Sequence, residues 1–351
     1  MAAMVVPPNN LLGMTLTEME ALFASWGEPR FRARQVYGWI YKKAAACSEM
    51  KNLPAPLRAR LEREAPLAYP EIAATTPSAD GAVKYLLRLA DGERIEAVFM
   101  PTPGHDTLCI SSQAGCAMDC KFCATATLGL GRHLTAGEMV GEVLVMRRAL
   151  KLTERRLNVL FMGEGEPLHN YDATVRAVRL LCDAGGVGLS PRRVTVSTVG
   201  LVPAIEKLAQ EDVRPNLAVS LNAATDEVRN RIMPINKKYP IAALIEAVKK
   251  YPRDKRIDVT FEYVLFRGVN DSLQDAKRLS ALARRADAKV NLIAYNEVEG
   301  LPFQRPSDAE VLVFQRVVRE GDVQAFIRKP RGRDIAGACG QLRLEEKSAA
   351  A

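Results

Sequence analysis

The sequence predicts an α/β protein, a partial TIM-like (βα)6 barrel preceded by a small helical N-terminal unit and a β-hairpin linker. Three observations carry this. From about residue 107 to 330, apolar runs of strand length alternate with helical stretches of roughly ten to fifteen residues, as consecutive βα units on a parallel sheet require. Residues 16 to about 64 carry helical periodicity only. Between the two regions, VKYLLRL and RIEAVFM flank Asp91-Gly92, a strand–turn–strand signature. A doubly wound sheet is the second arrangement compatible with the alternation.

Along the chain, Leu16, Met19, Leu22 and Phe23 recur at helical spacing, and Arg58 and Leu61 lie on another periodic stretch after the turn at Pro54 and Pro56. Pro-, Ala- and Thr-rich punctuation near 66–80 separates this unit from the hairpin. The expected barrel strands are DTLCISS, LNVLFMG, RRVTVSTVG, NLAVSLN, RIDVTFEYVLF, KVNLIAYN and VQAFIRK. Helical sequence follows each except the last, which runs into the Gly- and Arg-rich RKPRGRDIAGACGQL. The expected units are therefore 1–70 (helical accessory domain, RNA-binding), 71–104 (linker with the hairpin), 105–342 (barrel and C-terminal loop) and 343–351 (tail).

Hydrophobic residues make up 48% and charged residues 26% of the 351, which excludes disordered and collagen-like chains. No apolar run is long enough to span a bilayer, and the opening MAAMVVPPNN lacks a signal-peptide pattern, so no membrane association and a cytoplasmic location are expected. The net charge of +8 suits a polyanionic partner such as nucleic acid. Seven cysteines are an odd number, and three of them fall within eight residues, which points to a metal rather than a disulfide scaffold.

That cluster is Cys116-x3-Cys120-x2-Cys123, placed just after the first expected barrel strand. Three thiolates on one short loop each take one iron of a [4Fe–4S] cluster, leaving the fourth iron open to a chelating substrate. The amino and carboxylate groups of S-adenosylmethionine (SAM) fill that position in the radical SAM enzymes, whose spacing this resembles. A zinc site is the competing reading and requires a fourth ligand; the nearest histidine is His133. Polar residues fall at the carboxyl ends of the following strands: Gly163 to Pro167 (GEGEP), Ser197 to Gly200, Ser220 to Asn222, and Tyr295-Asn296. In a βα barrel that rim binds ligands, although each residue taken singly also suits a helix cap or turn.

The phrases TLCISSQAGCAMDCKFCATA, GEGEPLHN, RRVTVSTVGLVPAIEKL, LAVSLNAATDEVRNRIMPINKKYPI, KVNLIAYN and RKPRGRDIAGACGQL resemble, in order and spacing, the RlmN family of radical SAM methyltransferases acting on adenine C2 of rRNA and tRNA. The resemblance runs from about residue 16 to 342 and includes GEPRFRARQVYGWIYKK, similar to the family's accessory domain. It implies a [4Fe–4S] cluster on Cys116, Cys120 and Cys123 and two SAM molecules per turnover. One SAM methylates Cys339; a second is cleaved to a 5′-deoxyadenosyl radical that takes hydrogen from the S-methyl group. The methylene radical adds to C2, giving a covalent enzyme–RNA adduct. Carbon 2 lies between two ring nitrogens and is not nucleophilic, so radical addition avoids the obstacle to direct methyl transfer.

By the same resemblance, Cys109 attacks the sulfur of Cys339 to release the product and leaves a transient disulfide. Glu96 accepts the proton, Gly165 and Glu166 hold the SAM amino group, and Ser197, Ser220, Leu221, Asn222 and Asn296 line the rest of the SAM pocket. The residues alone also allow Cys109 as a buried strand thiol and Glu96 as the wet face of a strand. Cys47 and Cys182 match no motif and are read as structural. The implied partners are 23S rRNA, tRNA, a cytosolic electron donor and a disulfide reductant, with a monomeric enzyme. Arg30, Phe31, Arg32, Arg34, Tyr37, Trp39, Tyr41, Lys42 and Lys43 mix phosphate-binding and stacking side chains, with most aromatics expected in the core; Lys237, Lys238, Arg328, Lys329, Arg331 and Arg333 are further basic candidates.

The sequence departs from the family pattern at Asn222, where many relatives have His, at Glu164, where many have Met, and at Val199, where many have Ser. Glu164 adds a negative charge that is expected near SAM. The competing functions are a Cfr-like adenine-C8 methyltransferase, a non-catalytic metal-containing RNA-binding protein and a radical SAM enzyme acting on a small molecule.

Overall fold

The computed structural model of the protein describes residues 10–152, 156–253 and 256–342; the expected tail 343–351 lies outside the described residues. The N-terminal unit is three helices, α1 (Leu16–Ser25), α2 (Arg30–Lys43) and α3 (Ala55–Glu64). Thr15 starts α1 with a reciprocal cap: its hydroxyl accepts from Glu18 N, and the Glu18 carboxylate accepts from Thr15 N. Met19, Phe23, Val36, Tyr37, Ile40, Tyr41 and Leu61 are buried between the helices.

Strands β1 (Glu71–Pro77), β2 (Val83–Arg88) and β3 (Arg94–Thr102) follow, and then β4 (His105–Ile110), a short hairpin of β5 (Gln113–Gly115) and β6 (Leu130–His133), and α4 (Ala136–Leu150). The barrel continues with β7 (Arg156–Phe161), α5 (Tyr171–Cys182), β8 (Val194–Thr198), α6 (Val202–Leu208), β9 (Asn216–Ser220), α7 (Asp226–Ile232) and α8 (Ile241–Lys249). It closes its sequence with β10 (Val259–Leu265), α9 (Leu273–Arg285), β11 (Lys289–Ala294), α10 (Asp308–Glu320) and β12 (Ala325–Ile327).

Ten strands form one sheet in the order β1-β2-β3-β4-β7-β8-β9-β10-β11-β12. From β4 onward every pairing is parallel and neighbours follow chain order, the topology of an open (βα) barrel and not of a doubly wound sheet, whose strand order reverses. Val159, Phe161, Leu217, Val219, Phe261, Tyr263, Val290 and Leu292 fill the parallel region. The expected hairpin of β2 and β3 is present, with Leu86 opposite Glu96. It does not hang free as a linker: β3 pairs antiparallel with β4 and extends the barrel sheet. Residues 71–77, read from sequence as punctuation, form the edge strand β1. Their Ala-, Thr- and Pro-rich composition lies on exposed backbone at the sheet edge, where no apolar alternation is needed.

The helical unit docks on α4 and α5. Arg148 donates to the Ala44 carbonyl and pairs with Glu49, and Arg176 donates to the Gly13 carbonyl. Gly137 permits this contact, since a Cβ there would lie 2.3 Å from the Leu12 carbonyl oxygen.

Candidate active site

The carboxyl ends of the parallel strands and the chain's C-terminal loop enclose a cavity of about 210 Å³. Its wall carries Cys109 from β4, the loop cysteines Cys116, Cys120 and Cys123, Gly165 and Glu166 after β7, Ser197 on β8, Ser220 and Asn222 at the end of β9, Asn296 after β11, and Cys339. All expected site residues therefore face one space except Leu221 and Glu96. Leu221 is a core side chain, and it is its carbonyl that works, accepting from the buried Arg229. Glu96 is 3% exposed, so it is no wet-face residue, and its carboxylate is 2.8 Å from Lys84 Nζ. It sits one strand step behind Val98 and Met100, which do line the cavity.

The cysteine loop is folded by its own backbone. Cys116 N donates to Gly129 O, Lys121 N to Ile232 O and Cys123 N to Cys120 O, and Asp119 bends the chain at φ 54°. Phe122 serves both the cavity wall and a small aromatic core, 5.1 Å from Phe266 between ring centroids. Burial pushes the Cys116 thiol up to about 12 and Cys120 well above the usual thiol range, so the thiolates need a cation against them. Among the described residues no three His, Cys, Asp or Glu side chains converge as a single ion demands. The triad fits a group that takes each sulfur on a separate iron.

The GEGEP turn after β7 is held tightly. Gly163 abuts the Ile110 carbonyl, and Gly165 takes a φ of +95°. Glu166 points into the cavity side, its two carboxylate oxygens accepting from Leu168 N (3.1 Å) and Val199 N (2.8 Å). Burial raises it to about 7. Glu164 turns the other way. Its carboxylate accepts from Glu96 N (2.8 Å) and Gly115 N (3.3 Å), and it is absent from the cavity wall, which corrects the expectation of a second negative charge near SAM. Burial raises Glu164 to about 7 as well. Asn222 occupies the left-handed region at φ 55°, where Asn is among the few tolerated side chains. Its side-chain oxygen accepts from Val264 N at 2.9 Å and thereby ties β9 to β10.

All seven cysteines are free thiols. Cys109 is buried among Val98, Met100, Met162 and Leu342, and burial followed by the proximity of Cys339 pushes it up to about 12. Cys339 is exposed on the C-terminal loop. That loop is bound to the cysteine loop through Ala124 N to Gly340 O and Thr125 Oγ1 to Leu342 O, and Asn296 donates to the Cys339 carbonyl at 3.2 Å. Its base is bound to the β1–β2 turn, where Asp334 accepts from Ser78 Oγ and Ala79 N, and Asp80 accepts from Gly332 N. Arg328 and Glu262 complete the wall as an ion pair at 3.6 Å, with Asn291 donating to the same carboxylate. Sequence reading passed over Glu262; its one signal was an acid interrupting the apolar run VTFEYVL.

A barrel with three cysteines on one loop, opposite an acidic turn at the strand ends, defines a radical SAM enzyme. A family model described as the radical SAM superfamily matches residues 110–279, and one described as the ribosomal RNA large subunit methyltransferase N-terminal domain matches residues 9–67. The dual-specificity RNA methyltransferase RlmN of Pelobacter propionicus is 46% identical over 336 residues, covering 95% of this chain and 96% of its own. That of Geotalea uraniireducens is 47% identical with coverage of 95% and 96%. The crystal structure of a radical SAM methyltransferase from Sphaerobacter thermophilus superposes with a TM-score of 0.92 at 44% identity, over 96% of this chain and 100% of that one. The chain belongs to the RlmN family and is a SAM-dependent RNA methyltransferase of the radical SAM class. The family's cofactors are a [4Fe–4S] cluster and SAM. Among the described residues no helix is long and apolar enough to cross a membrane.

Proposed function

We propose that this chain methylates carbon 2 of an adenosine in 23S rRNA and of an adenosine in tRNA, with Cys339 as the carrier of the one-carbon unit. The observation supporting it most directly is that Cys109, Cys339 and the three loop cysteines open on one cavity, although their positions in the chain are widely separated. Cys116, Cys120 and Cys123 hold the cluster, which when bound with SAM supplies a carbon-centred radical. Gly165 and Glu166 receive the SAM ammonium; Ser197, Ser220, Asn222 and Asn296 line the remainder of its pocket, and Leu221 contributes through backbone only.

The exposed sulfur of Cys339 reaches RNA from the cavity mouth, while Cys109 waits buried behind it. Glu96, paired with Lys84 at 2.8 Å, takes the proton released from C2, and the one unpaired electron left on the ring would pass to the oxidised cluster. The Cys109 thiolate then attacks the Cys339 sulfur. The bond between that sulfur and the transferred carbon breaks with its electron pair toward the RNA, the carbon takes up one proton, equivalent to the one Cys109 gave up, to become a methyl group, and a disulfide forms that a thiol reductant opens with two electrons. Arg328 favours the attacking anion by placing a guanidinium on the same wall. Every residue in this scheme comes from one chain, so a monomer suffices; the electron donor and the reductant are cytosolic, as is the enzyme.

Mass spectrometry of the Cys339 peptide after anaerobic incubation of cluster-loaded protein with SAM and a reductant tests the carrier. One added methyl group on Cys339 is expected, and an unmodified Cys339 in protein that consumes SAM overturns the scheme.

A further inference from the structure

Two of the chain's three histidines, His133 and His169, lie on different elements yet meet at one side chain, Gln113. Gln113 is fully buried on β5. Its Oε1 accepts from Glu166 N at 2.8 Å. A backbone N–H only donates, so the oxygen faces Glu166 and the amide nitrogen faces the two imidazoles, 2.9 Å from His133 Nδ1 and 3.2 Å from His169 Nδ1. An amide NH2 only donates, so both Nδ1 atoms must be bare acceptors, and both rings are neutral with their hydrogens on Nε2. The rings stand edge to face with centroids 5.0 Å apart. Gln113 packs directly on Gly165, where an added Cβ would lie 2.6 Å from the Gln113 Cβ.

We infer that Gln113, His133 and His169 form a pH-reading clamp on the turn that receives the SAM ammonium, with Gln113 as a positioning residue for Glu166. The inference rests on the SAM reading of that turn. Protonating either imidazole sets an N–H against the amide N–H. Both rings are exposed, so a protonated imidazole either turns out to solvent and leaves the Gln113 amide short of an acceptor, or stays while the amide flips and presents NH2 to Glu166 N–H; either way the bond that orients Glu166 is weakened. Neutral histidines and an ordered turn therefore go together, and acid loosens both.

The charged groups on the segments that carry the clamp are Arg132, which is tied to Asp91 and Glu138, and the carboxylates of Glu164 and Glu166. Burial, and then the neighbouring His169, lowers His133. Glu164 and Glu166, both near 7, titrate in the same range, so the contribution of the histidines must be read as a difference between variants.

The experiment is equilibrium dialysis of labelled SAM against cluster-loaded full-length protein at about pH 8 and about pH 5.5, on either side of an ordinary histidine. Wild type is compared with the double variant H133N/H169N and with Gln113→Leu. Both share the Glu166 contribution, so the wild-type affinity is expected to fall about 5-fold further than that of the double variant, the worth of about one hydrogen bond. Gln113→Leu is expected to bind SAM weakly already at the higher pH. Identical pH profiles for wild type and the double variant, or wild-type affinity in Gln113→Leu, overturn the clamp while leaving the SAM reading intact. A wild type that binds no SAM at either pH overturns both.

Discussion

In the proposed scheme Glu166 is the carboxylate that receives the SAM ammonium. Burial holds it near 7, and two backbone N–H groups aim it. An ammonium ligand favours the ionised form, so SAM binding below about pH 7 expels a proton from Glu166. Calorimetry in buffers of different ionisation enthalpy is expected to show net proton release on SAM binding at mildly acid pH, and none above the titration range. In the free protein the sign runs the other way. Glu164 and Glu166 bind more protons folded than unfolded between the ordinary carboxylate range and about 7, so stability falls as pH rises through that window. Glu164 is a staple whose two acceptor oxygens satisfy Glu96 N and Gly115 N. Glu164→Gln turns one acceptor into a donor, and a loss of about 1 to 3 kcal/mol is expected in urea unfolding of the purified chain. An unchanged midpoint would show that neither bond matters.

At the scale of elements, the C-terminal loop depends on the β1–β2 turn for its footing. Asp334→Ala removes the bonds from Ser78 and Ala79 without substituting any cavity residue. About 5-fold slower methyl transfer with an unaltered melting temperature is expected, the worth of roughly one hydrogen bond expressed in loop placement. Equal rates would place the loop's control elsewhere. The elements themselves differ in how plainly the sequence declares them. The parallel strands carry mostly buried or half-buried side chains, apart from the exposed Phe326 on edge strand β12, and read as apolar runs, so β4 and β7 to β12 were all legible. Strand β1 was not, because it lies on the sheet edge with an exposed Ala- and Thr-rich surface. The cysteine triad and the strand-end residues were legible as motifs, but chirality and direction of the GEGEP turn were not. Periodicity cannot say that Glu164 faces the hairpin while Glu166 faces the cavity, because that follows from the positive φ of Gly165 between them. Gln113 escaped for a like reason: its role appears only when β5 is folded against Gly165 and two distant histidines.

The whole molecule joins a basic helical unit to a barrel with a reactive rim. On α2, Tyr37 and Tyr41 are core, as expected for most of its aromatics, whereas Phe31 is 51% exposed with Arg32 over its ring, and Lys43 lies 3.9 Å over Trp39. With a net charge of +8, RNA affinity is expected to fall at least about 10-fold between roughly 50 and 200 mM salt in filter binding. A flat response would mean that the charge excess takes no part in binding. Docking of the two units turns on Gly137, where any side chain meets the Leu12 carbonyl. Gly137→Val is expected to cost about 1 to 3 kcal/mol in thermal unfolding by overpacking that seam. The central claim is that Cys339 carries carbon to C2 of adenosine. Its most direct test is mass spectrometry of nucleosides from ribosomal RNA and tRNA incubated anaerobically with cluster-loaded protein, SAM and a reductant, wild type against Cys339→Ala. The account predicts 2-methyladenosine with wild type and none with the variant. Product at C8, or 2-methyladenosine made equally well without the Cys339 sulfur, would contradict it.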